Sequence, residues 1–353
     1  MRITFVLPGG VGEPAGGSRM VLRYADALAQ GGWRPTVIMP ADLGEATPMR
    51  RLMRRGRYWL WKWTGTYRPE GWIRLNPGVR LAWVPTLSAA LAPAGDAVVA
   101  TSVRTAEAIA LWPSSAGRKF YFVQGYETWD YSAARVEASW RLPLAKVAVS
   151  RWLCDLIAAA GAQASHLPNG LDPEAFGLDR PVDQRVAGRV LWPHHWLPQK
   201  GSEDVVAALS DLPGVSLSAF GTAAGAPNWP AGITYWRNPK QAHLRALYNE
   251  ASILVAPSHA EGWGLPACEA LQCGCALVAT DIGGHREFLR DGENALLYPA
   301  GDRRALRAAV ERLLADDGLR RRLAERGVAD MTGLRLDSSV NRLRTLLAEG
   351  RES

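Results

Sequence analysis

The chain lacks several features that mark secreted, membrane-spanning or zinc-binding proteins. It has four cysteines in 353 residues, Cys154, Cys268, Cys273 and Cys275, and none of them forms a Cys-x-x-Cys pair. No histidine cluster completes a zinc spacing, so reduced, buried thiols in a cytoplasmic protein are expected. No run of eighteen apolar residues is present, which argues against a spanning helix. Met1–Pro8 is too short and too soon interrupted for a signal peptide.

Length and composition favour two globular domains. The chain has 353 residues, of which 48% are hydrophobic and 21% are charged, enough to build a sizeable core in each half. Strand-like and helix-like segments alternate in both halves, which predicts α/β architecture with parallel sheets covered on both faces. We predict a first domain over residues 1–172 and a second over residues 173–334. Residues 173–188 carry two prolines and several charges, and we expect them to be the linker.

The positive charge of the chain is concentrated in one segment. Residues 50–80 contain nine basic residues and one acid, Glu70, whereas the whole chain has a net charge of +7. The basic residues are Arg50, Arg51, Arg54, Arg55, Arg57, Lys62, Arg68, Arg74 and Arg80. The rest of the chain is therefore nearly neutral, and the pattern indicates one patch that meets one anionic partner.

Apolar residues recur at helical spacing through the same basic segment. They are Met49, Leu52, Met53, Gly56, Trp59, Leu60 and Trp63, and Trp61 and Trp72 add further aromatic surface. One interpretation is a helix that lies in the interface of an anionic membrane, with residues 49–72 making a peripheral contact on its inner face. The alternative is a mobile loop or a helix packed over the first domain with solvated arginines, because amphipathic spacing does not separate the two. Nucleic acid is the weakest reading, since no binding motif accompanies the charge.

Two glutamates eight positions apart, Glu261 and Glu269, are the most informative feature of the second half. The apolar run Ile253–Ala256 predicts a buried strand, and the residues after it predict a loop. Pro266 suits the first turn of a helix, where its missing N–H costs nothing. Glu261 is therefore expected in the loop, and Glu269 about one turn into the helix.

The backbone between these glutamates predicts an anion site. The N–H groups of Gly264 and Leu265 are expected to be free at the positive end of the helix dipole, where a phosphate binds readily. A carboxylate on each side, Glu261 and Glu269, can accept hydrogen bonds from sugar hydroxyls. The arrangement suits a nucleotide-sugar. The alternative is that Glu261 is a solvated loop residue and Glu269 an ordinary surface residue.

The surrounding motif resembles the signature of family 4 glycosyltransferases. Glu261–Ala270 reads E-G-x-G-L-P-x-x-E-A, and Cys273–Thr280 and Gly283–Glu287 match the two segments that follow it in that family. The resemblance implies a retaining enzyme with the GT-B fold, in which two Rossmann-like domains face each other across a cleft. It also implies that the final helix, near 335–353, packs back on the first domain.

The resemblance assigns binding roles to residues that precede helices. Gly16 and Gly17 match a glycine pair that lies against the donor diphosphate. Residues 10–15 also fit the G-x-G-x-x-A dinucleotide fingerprint formally, but Pro14 delays the helix that this fingerprint needs. Lys200 matches a lysine that holds the diphosphate, whereas His195 stands where the family has an arginine. A histidine lacks the bidentate fork and is largely neutral at pH 7, so either His195 suffices or another arginine supplies the charge.

Three further residues stand at family landmarks, and two of them depart from the family. Gln124 and Glu127 follow a strand of the first domain, where many relatives carry a histidine–aspartate pair near the acceptor. This departure resembles a subset that transfers deoxy or related sugars. We predict that Glu127 lies near the acceptor hydroxyl, with an outward loop glutamate as the alternative. Asn169 belongs to a Pro-Asn-Gly turn that resembles cleft architecture and that needs no functional explanation.

These matches predict a glycosyltransferase with Lys200, Glu261 and Glu127 as catalytic residues. The donor is expected to be a nucleotide-sugar, and the acceptor a glycan, a lipid-linked group or a small molecule. No Asp-x-Asp triplet occurs, and with Lys200 and helix amides at the diphosphate no metal or other cofactor is expected. The alternatives are an epimerase or phosphorylase on the same fold, or a non-catalytic protein that binds sugar nucleotides.

Overall fold

The protein folds into two compact units. The structure is a computed structural model, and it describes residues 1–10, 16–44, 47–65, 72–223 and 229–349. The first unit comprises Met1–Pro168 and the residues from Val340 on, and the second comprises Asn169–Ser339. The sequence interpretation had placed the change of domain slightly later, at 172/173.

A parallel sheet forms the centre of the first unit. Among the described residues seven strands pair in the order β3-β2-β1-β4-β5-β6-β7. They are β1 (Arg2–Val6), β2 (Arg34–Pro40), β3 (Arg80–Val84), β4 (Ala97–Ala100), β5 (Arg118–Val123), β6 (Ala145–Ala148) and β7 (Ala164–His166). Strand β1 lies between β2 and β4. All of its residues after Arg2 are buried, as expected of a strand covered on both faces.

Helices connect these strands. They are α1 (Gly16–Gln30), α2 (Pro48–Thr64), α3 (Val103–Ala110), α4 (Ala133–Trp140) and α5 (Arg151–Ala159). The long helix α1 buries Met20, Tyr24 and Leu28 at helical spacing. This alternation of strands and helices is the α/β pattern that the sequence predicts.

The second unit repeats the architecture with a smaller sheet. Six described strands pair in the order β10-β9-β8-β11-β12-β13. The strands are β8 (Arg189–His194), β9 (Ser216–Gly221), β10 (Thr234–Arg237), β11 (Ile253–Ala256), β12 (Ala276–Thr280) and β13 (Leu296–Tyr298). The helices are α6 (Ser202–Leu209), α7 (Gln241–Glu250), α8 (Leu265–Gln272), α9 (Arg303–Ala315) and α10 (Asp317–Met331). Trp192, Val255, Val278 and Leu306 belong to one buried core.

The expected linker at 173–188 is wrong, because this segment is packed into the second unit. Val182 is buried in its core, and the Arg185 side chain is buried as well. The Arg185 guanidinium donates to the carbonyl oxygens of Tyr248 at 3.0 Å and Ala251 at 2.7 Å. Prolines and charges suggested a solvated connection, but backbone carbonyls can satisfy a buried guanidinium.

The last helix, α11 (Leu336–Ala348), continues into the first unit. From Val340 on its residues belong to that unit, where Arg344 donates to the carbonyl oxygen of Ala27 at 3.3 Å. The Arg118 guanidinium donates to the carbonyl oxygens of Leu347 and Glu349.

Two expectations from the sequence concern the state of the cysteines and the presence of a membrane-spanning helix. All four cysteines are free thiols; three of them are buried, and Cys154 is half-buried. Within the described ranges, every helix is too short or too polar to cross a bilayer.

Candidate functional site

No side chain caps the N-terminus of α8 in the second unit. Strand β11 ends at Ala256, and α8 begins at Leu265 with Pro266 in its first turn. Gly264 occupies the N-cap position with φ of 100°, and no side chain caps the helix there. Glu261 therefore lies in the loop and Glu269 in the helix, which confirms the local structure read from the motif.

Glu261 and Lys200 form an ion pair beside this helix end. Lys200 Nζ lies 2.6 Å from Glu261 Oε1, and Ser258 Oγ donates to the same oxygen at 2.8 Å. Burial acts to raise the pKa of the Glu261 carboxyl, but the Lys200 ammonium and the two hydrogen bonds outweigh it and hold that pKa below its ordinary value. Glu261 is therefore ionised at neutral pH, and the free site contains a compensated pair of charges.

A tight turn brings Lys200 to this position. Residues Pro198–Lys200 form one 3₁₀ turn after β8, and Gly201 follows with φ of 67°. A Cβ atom at position 201 would lie 2.1 Å from the Pro257 carbonyl oxygen. Glycine is therefore required at 201, and the close approach of the two loops joins residues that are far apart in sequence.

His195 lies near the same pair of charges as a neutral group. Its Nδ1 accepts a hydrogen bond from the Leu197 N–H at 3.1 Å, so the neutral ring carries its proton on Nε2. Burial lowers the pKa of His195, the Lys200 charge lowers it further, and the Glu261 charge raises it in part. His195 can therefore donate one hydrogen bond from Nε2, but it adds no positive charge at pH 7.

Glu269 is held inside the second unit. It is 1% exposed, and the Tyr248 hydroxyl donates to its Oε2 at 3.2 Å. The alternative of an ordinary surface residue is therefore wrong. A contact between Glu269 and a ribose stays a prediction.

The sequence reasoning missed His285, whose ring packs against the N-terminus of α8. His285 is buried, and its Nδ1 lies 2.9 Å from the Thr280 carbonyl oxygen. A Cβ atom at Gly264 would lie 2.7 Å from His285 Cδ2. The signal was present in the Gly-Gly-His run at 283–285, but a single histidine after a turn gives no indication of what it faces.

In the first unit the structure brings Gly17 and Gln124 together. Gly16 is the first residue of α1. A Cβ atom at Gly17 would lie 3.3 Å from Gln124 Nε2, so the Gln124 side chain covers the start of this helix. Residues 11–15, which hold most of the formal dinucleotide fingerprint, lie outside the described residues.

Glu127 faces inward, at the N-terminus of α3. Both of its oxygens lie 3.2 Å from the Val103 nitrogen, whose N–H they accept, and the Tyr121 hydroxyl donates to Oε1 at 3.4 Å. Burial raises the pKa of Glu127 to about 7, against the opposing effect of these hydrogen bonds. The alternative of an outward loop glutamate is therefore wrong, and its place near an acceptor stays a prediction.

Asn169, the first residue of the second unit, is buried and under-satisfied. It is 3% exposed, and its Oδ1 accepts no hydrogen bond from the part of the chain that the structure describes. Its contribution to a binding site is likewise still a prediction.

Helix α2 turns its apolar side towards solvent. Its inner side is fixed by Tyr58, which is 2% exposed and donates to the Trp83 carbonyl oxygen, and by an Arg51–Asp42 ion pair of 3.2 Å. The opposite side, here called the α2 outer face, consists of Met49, Leu52, Met53, Trp59, Leu60 and Trp63, which are all exposed, Trp63 to 85%. The apolar stripe is therefore not a core face, and the alternative of a loop is wrong. The other alternative, a helix packed over the first unit with solvated arginines, agrees with the buried Tyr58 and the exposed Arg50, Arg54, Arg55 and Arg57.

No group of three or more His, Cys, Asp or Glu side chains within the described ranges is arranged to hold a metal ion.

A family model matches the part of the chain that contains this helix end. Residues 230–329 match the model described as "Glycosyl transferases group 1". The match includes Glu261, Gly264, Glu269 and His285. Over these residues the chain is similar to group 1 glycosyltransferases. The resemblance to family 4 glycosyltransferases is thereby confirmed.

Several curated relatives of this chain are named as glycosyltransferases. A D-inositol 3-phosphate glycosyltransferase of Acidothermus cellulolyticus is 30% identical over 244 residues, which are 57% of this chain and 52% of that protein. The lipopolysaccharide core biosynthesis glycosyltransferase LpsE of Rhizobium meliloti is 30% identical over 167 residues, 44% of this chain and 47% of that protein. The chain thus spans about half the length of these relatives.

Solved structures match the whole chain. Sucrose-phosphate synthase from Thermosynechococcus elongatus has a TM-score of 0.75 at 17% identity and covers 98% of both chains. Anabaena HepE in complex with UDP-glucose has a TM-score of 0.77 at 15% identity and covers 99% of both. These likenesses, with the two parallel sheets, confirm the predicted GT-B fold class.

Proposed function

We propose that the protein transfers a sugar from a nucleotide-sugar donor to an acceptor hydroxyl with retention of configuration. The observation that carries this proposal is the Lys200–Glu261 ion pair beside the uncapped N-terminus of α8. A departing nucleoside diphosphate needs positive charge and hydrogen-bond donors, and a lysine with helix amides offers both.

Each residue of the second unit has a role in this proposal. Lys200 and the N–H groups at Gly264 and Leu265 bind the diphosphate and stabilise the charge that develops as it leaves. When Lys200 turns to the diphosphate, Glu261 accepts a hydrogen bond from a hydroxyl of the transferred sugar. Glu269 accepts hydrogen bonds from the ribose, and His195 donates to the diphosphate through Nε2.

Residues of the first unit serve the acceptor and the donor diphosphate. Gly16 and Gly17 let backbone amides approach the donor, and the Gln124 amide beside Gly17 orients a hydroxyl. Glu127, with a pKa of about 7, accepts a proton from the acceptor hydroxyl, because its pKa matches neutral operating conditions. The unpartnered Oδ1 of Asn169 accepts a hydrogen bond from the substrate.

The names of related proteins support a nucleotide-sugar donor. HepE was solved with UDP-glucose, and the curated relatives act on D-inositol 3-phosphate and in lipopolysaccharide core synthesis by their names. We propose a glycan, a lipid-linked group or a small molecule as the acceptor. We also propose that no metal is required, because Lys200 and the α8 amides provide the positive charge.

Donor binding is the direct test. The melting temperature should rise with one class among UDP-, GDP-, ADP- and dTDP-sugars, because a ligand that binds the native state stabilises it. Lys200→Ala should abolish that rise and lower turnover by about two to three orders of magnitude. Lys240→Ala, a matched change at an exposed lysine of the same unit, should leave both unchanged.

Other outcomes would replace the proposal. Turnover of a sugar nucleotide without an acceptor would favour an epimerase, and dependence on inorganic phosphate would favour a phosphorylase. Binding without transfer to any acceptor would indicate a non-catalytic protein. Near-normal turnover in Lys200→Ala would refute the role of the ion pair.

We further propose that the α2 outer face lies in the interface of an anionic membrane, on its cytoplasmic side. Exposed apolar patches of this kind mark interaction sites. The helix carries Arg50, Arg54, Arg55, Arg57 and Lys62 around the apolar residues and no acid. Anionic headgroups complement this charge while the apolar side chains enter the acyl boundary.

Vesicle flotation tests the membrane contact. The protein should float with vesicles that contain phosphatidylserine and stay unbound with pure phosphatidylcholine. The double change Leu60→Ser and Trp63→Ser should weaken flotation at least tenfold, since two large apolar side chains are lost. Leu111→Ser removes an equally exposed apolar side chain of the first unit and should have no effect. Equal flotation of both variants would contradict the proposal.

A further inference from the structure

The His285 ring places an unpartnered nitrogen at the N-terminus of α8. A Cβ atom at Gly264 would lie 2.9 Å from His285 Nε2, so this edge of the ring faces the backbone at the start of the helix. The residue is 1% exposed. Within the described residues the ring forms its hydrogen bonds through Nδ1, and Nε2 has none.

The Nδ1 contact fixes the tautomer of His285. Nδ1 lies 2.9 Å from the Thr280 carbonyl oxygen, which can only accept a hydrogen bond. Nδ1 therefore carries the proton in the neutral ring, and Nε2 carries a lone pair. Nε2 becomes a donor only when the ring takes up a second proton.

The charge balance of the site favours such a protonation. In the free protein Lys200 and Glu261 compensate each other, and His195 is neutral. A bound diphosphate brings about two negative charges, so the site with its one lysine and one glutamate then has a net negative charge. An additional positive charge would reduce this imbalance, and His285 is a titratable group whose ring faces that helix end.

We propose that His285 takes up a proton from solvent as the donor diphosphate binds at the α8 N-terminus, and that the imidazolium donates through Nε2 to a diphosphate oxygen. This inference rests on the proposed function, since it presupposes a nucleotide-sugar at this helix. The proton returns to solvent when the nucleoside diphosphate leaves. His285 thus supplies in a reversible form the charge that an arginine at 195 would supply permanently.

The electrostatics of the free protein agree with this role. Burial lowers the pKa of His285, the hydrogen bond to Thr280 and the Glu261 charge raise it in part, and the Lys200 charge lowers it again. The helix dipole also opposes an imidazolium at this place. A diphosphate within hydrogen-bond range reverses the balance and raises the pKa. Donor affinity is then highest below the free-state pKa and falls as pH rises towards the bound-state pKa.

Calorimetry measures the proton directly. We would titrate the full chain with UDP-glucose, GDP-mannose and ADP-glucose, whose diphosphates do not titrate near pH 7, in buffers of different ionisation enthalpy. Binding should take up close to one proton at pH 7 and weaken by at most about tenfold per pH unit inside the window. His285→Gln should lose the uptake, and the matched control His243→Gln, a change at an exposed histidine of the same unit, should retain it.

Histidine NMR keeps the inference testable if His285→Gln does not fold. The chain has six histidines, and Nε2 of His285 should change from an unprotonated to a protonated ¹⁵N shift when the donor is added at pH 7. Donor binding with no proton uptake and no such change would overturn the inference and leave the proposed function intact. Uptake that disappears in His243→Gln would also overturn it. Failure of every donor to bind would instead refute the proposed function.

Discussion

The N-termini of α3 and α8 are built in opposite ways. At α3 the protein fills the helix end itself: Ser102 and Thr105 form a capping box, and Glu127 accepts the Val103 N–H. At α8 the cap is Gly264, and no side chain takes its place. A helix end whose N–H groups are bonded by the protein offers a ligand few donors, whereas one without a side-chain cap beside a lysine can bind an anion.

The pKa values of the carboxylates near these two helix ends are shifted in opposite directions. Burial raises the pKa of Glu127 to about 7, because only neutral donors contact it. Burial acts on Glu261 too, but the Lys200 ammonium keeps its pKa below the ordinary value. Helix amides and a hydroxyl alone do not offset the desolvation of a carboxylate, and an adjacent cation does.

The largest effect is expected from adding a side chain at Gly264, the N-cap of α8. Gly264→Ala introduces a methyl group against the buried His285 ring at a φ of 100°. We expect a loss of about 2–4 kcal/mol in the free energy of unfolding and no donor binding. Denaturant titration would measure the loss.

Gly292→Ala is the control for that variant. Gly292 also has a positive φ, of 71°, but a Cβ atom there would meet nothing within 4 Å. It should cost about 1 kcal/mol and leave donor binding intact. Equal losses in the two variants would show that strain alone, and not the contact with His285, makes glycine necessary at 264.

The second-largest effect is expected from removing the charge of Glu261. Glu261→Gln keeps an oxygen for Ser258 and Lys200 but breaks the ion pair, so Lys200 and the sugar hydroxyl lose their fixed positions. We expect kcat to fall about 100-fold, measured with saturating donor. A decrease smaller than threefold would mean that the pair stabilises the fold and takes no part in transfer.

Glu127 should make the free energy of unfolding depend on pH. Its folded-state pKa of about 7 is above the unfolded value of a glutamate, so its stabilising effect is fully present below the unfolded pKa and is lost as pH rises to about 7. The loss is at most about 3 kcal/mol.

Glu127→Gln should remove this pH dependence and make the protein more stable than wild type at pH 8. Chemical denaturation at pH 5 and pH 8 tests the prediction. An unchanged pH profile in the variant would show that Glu127 ionises in the folded protein like a solvated glutamate.

The smallest effect is expected from removing the hydrogen bond that Tyr248 donates to Glu269. Tyr248→Phe removes the hydroxyl that donates to Glu269 and keeps the ring, which packs against Phe176 and Phe220. Donor affinity should weaken by about threefold to tenfold, and stability should fall by about 1 kcal/mol. Tyr235→Phe also removes a hydroxyl, one that donates to the Ala223 carbonyl oxygen, and should leave donor affinity unchanged.

Local patterns predicted the elements well where a strand is buried or a helix has a clear start. The run Ile253–Ala256 is a strand as expected, and Pro266 lies in the first turn of α8. The edge strands β7 and β10 contain partly exposed residues and lack a continuous apolar run, so the sequence gives little sign of them. The linker at 173–188 was misjudged because its composition gives no sign that Arg185 donates to carbonyl oxygens of residues far away in sequence.

The sequence by itself determined the alternation of strands and helices, the glycine-capped helix after β11 and the family motif, since these depend on neighbours along the chain. Only the tertiary structure decided that Lys200 pairs with Glu261, that the His285 ring faces Gly264, that Glu127 is buried, and that the α2 outer face is turned to solvent. Each of these depends on contacts between residues far apart in sequence, and a periodic pattern does not specify which side of an element its neighbours cover.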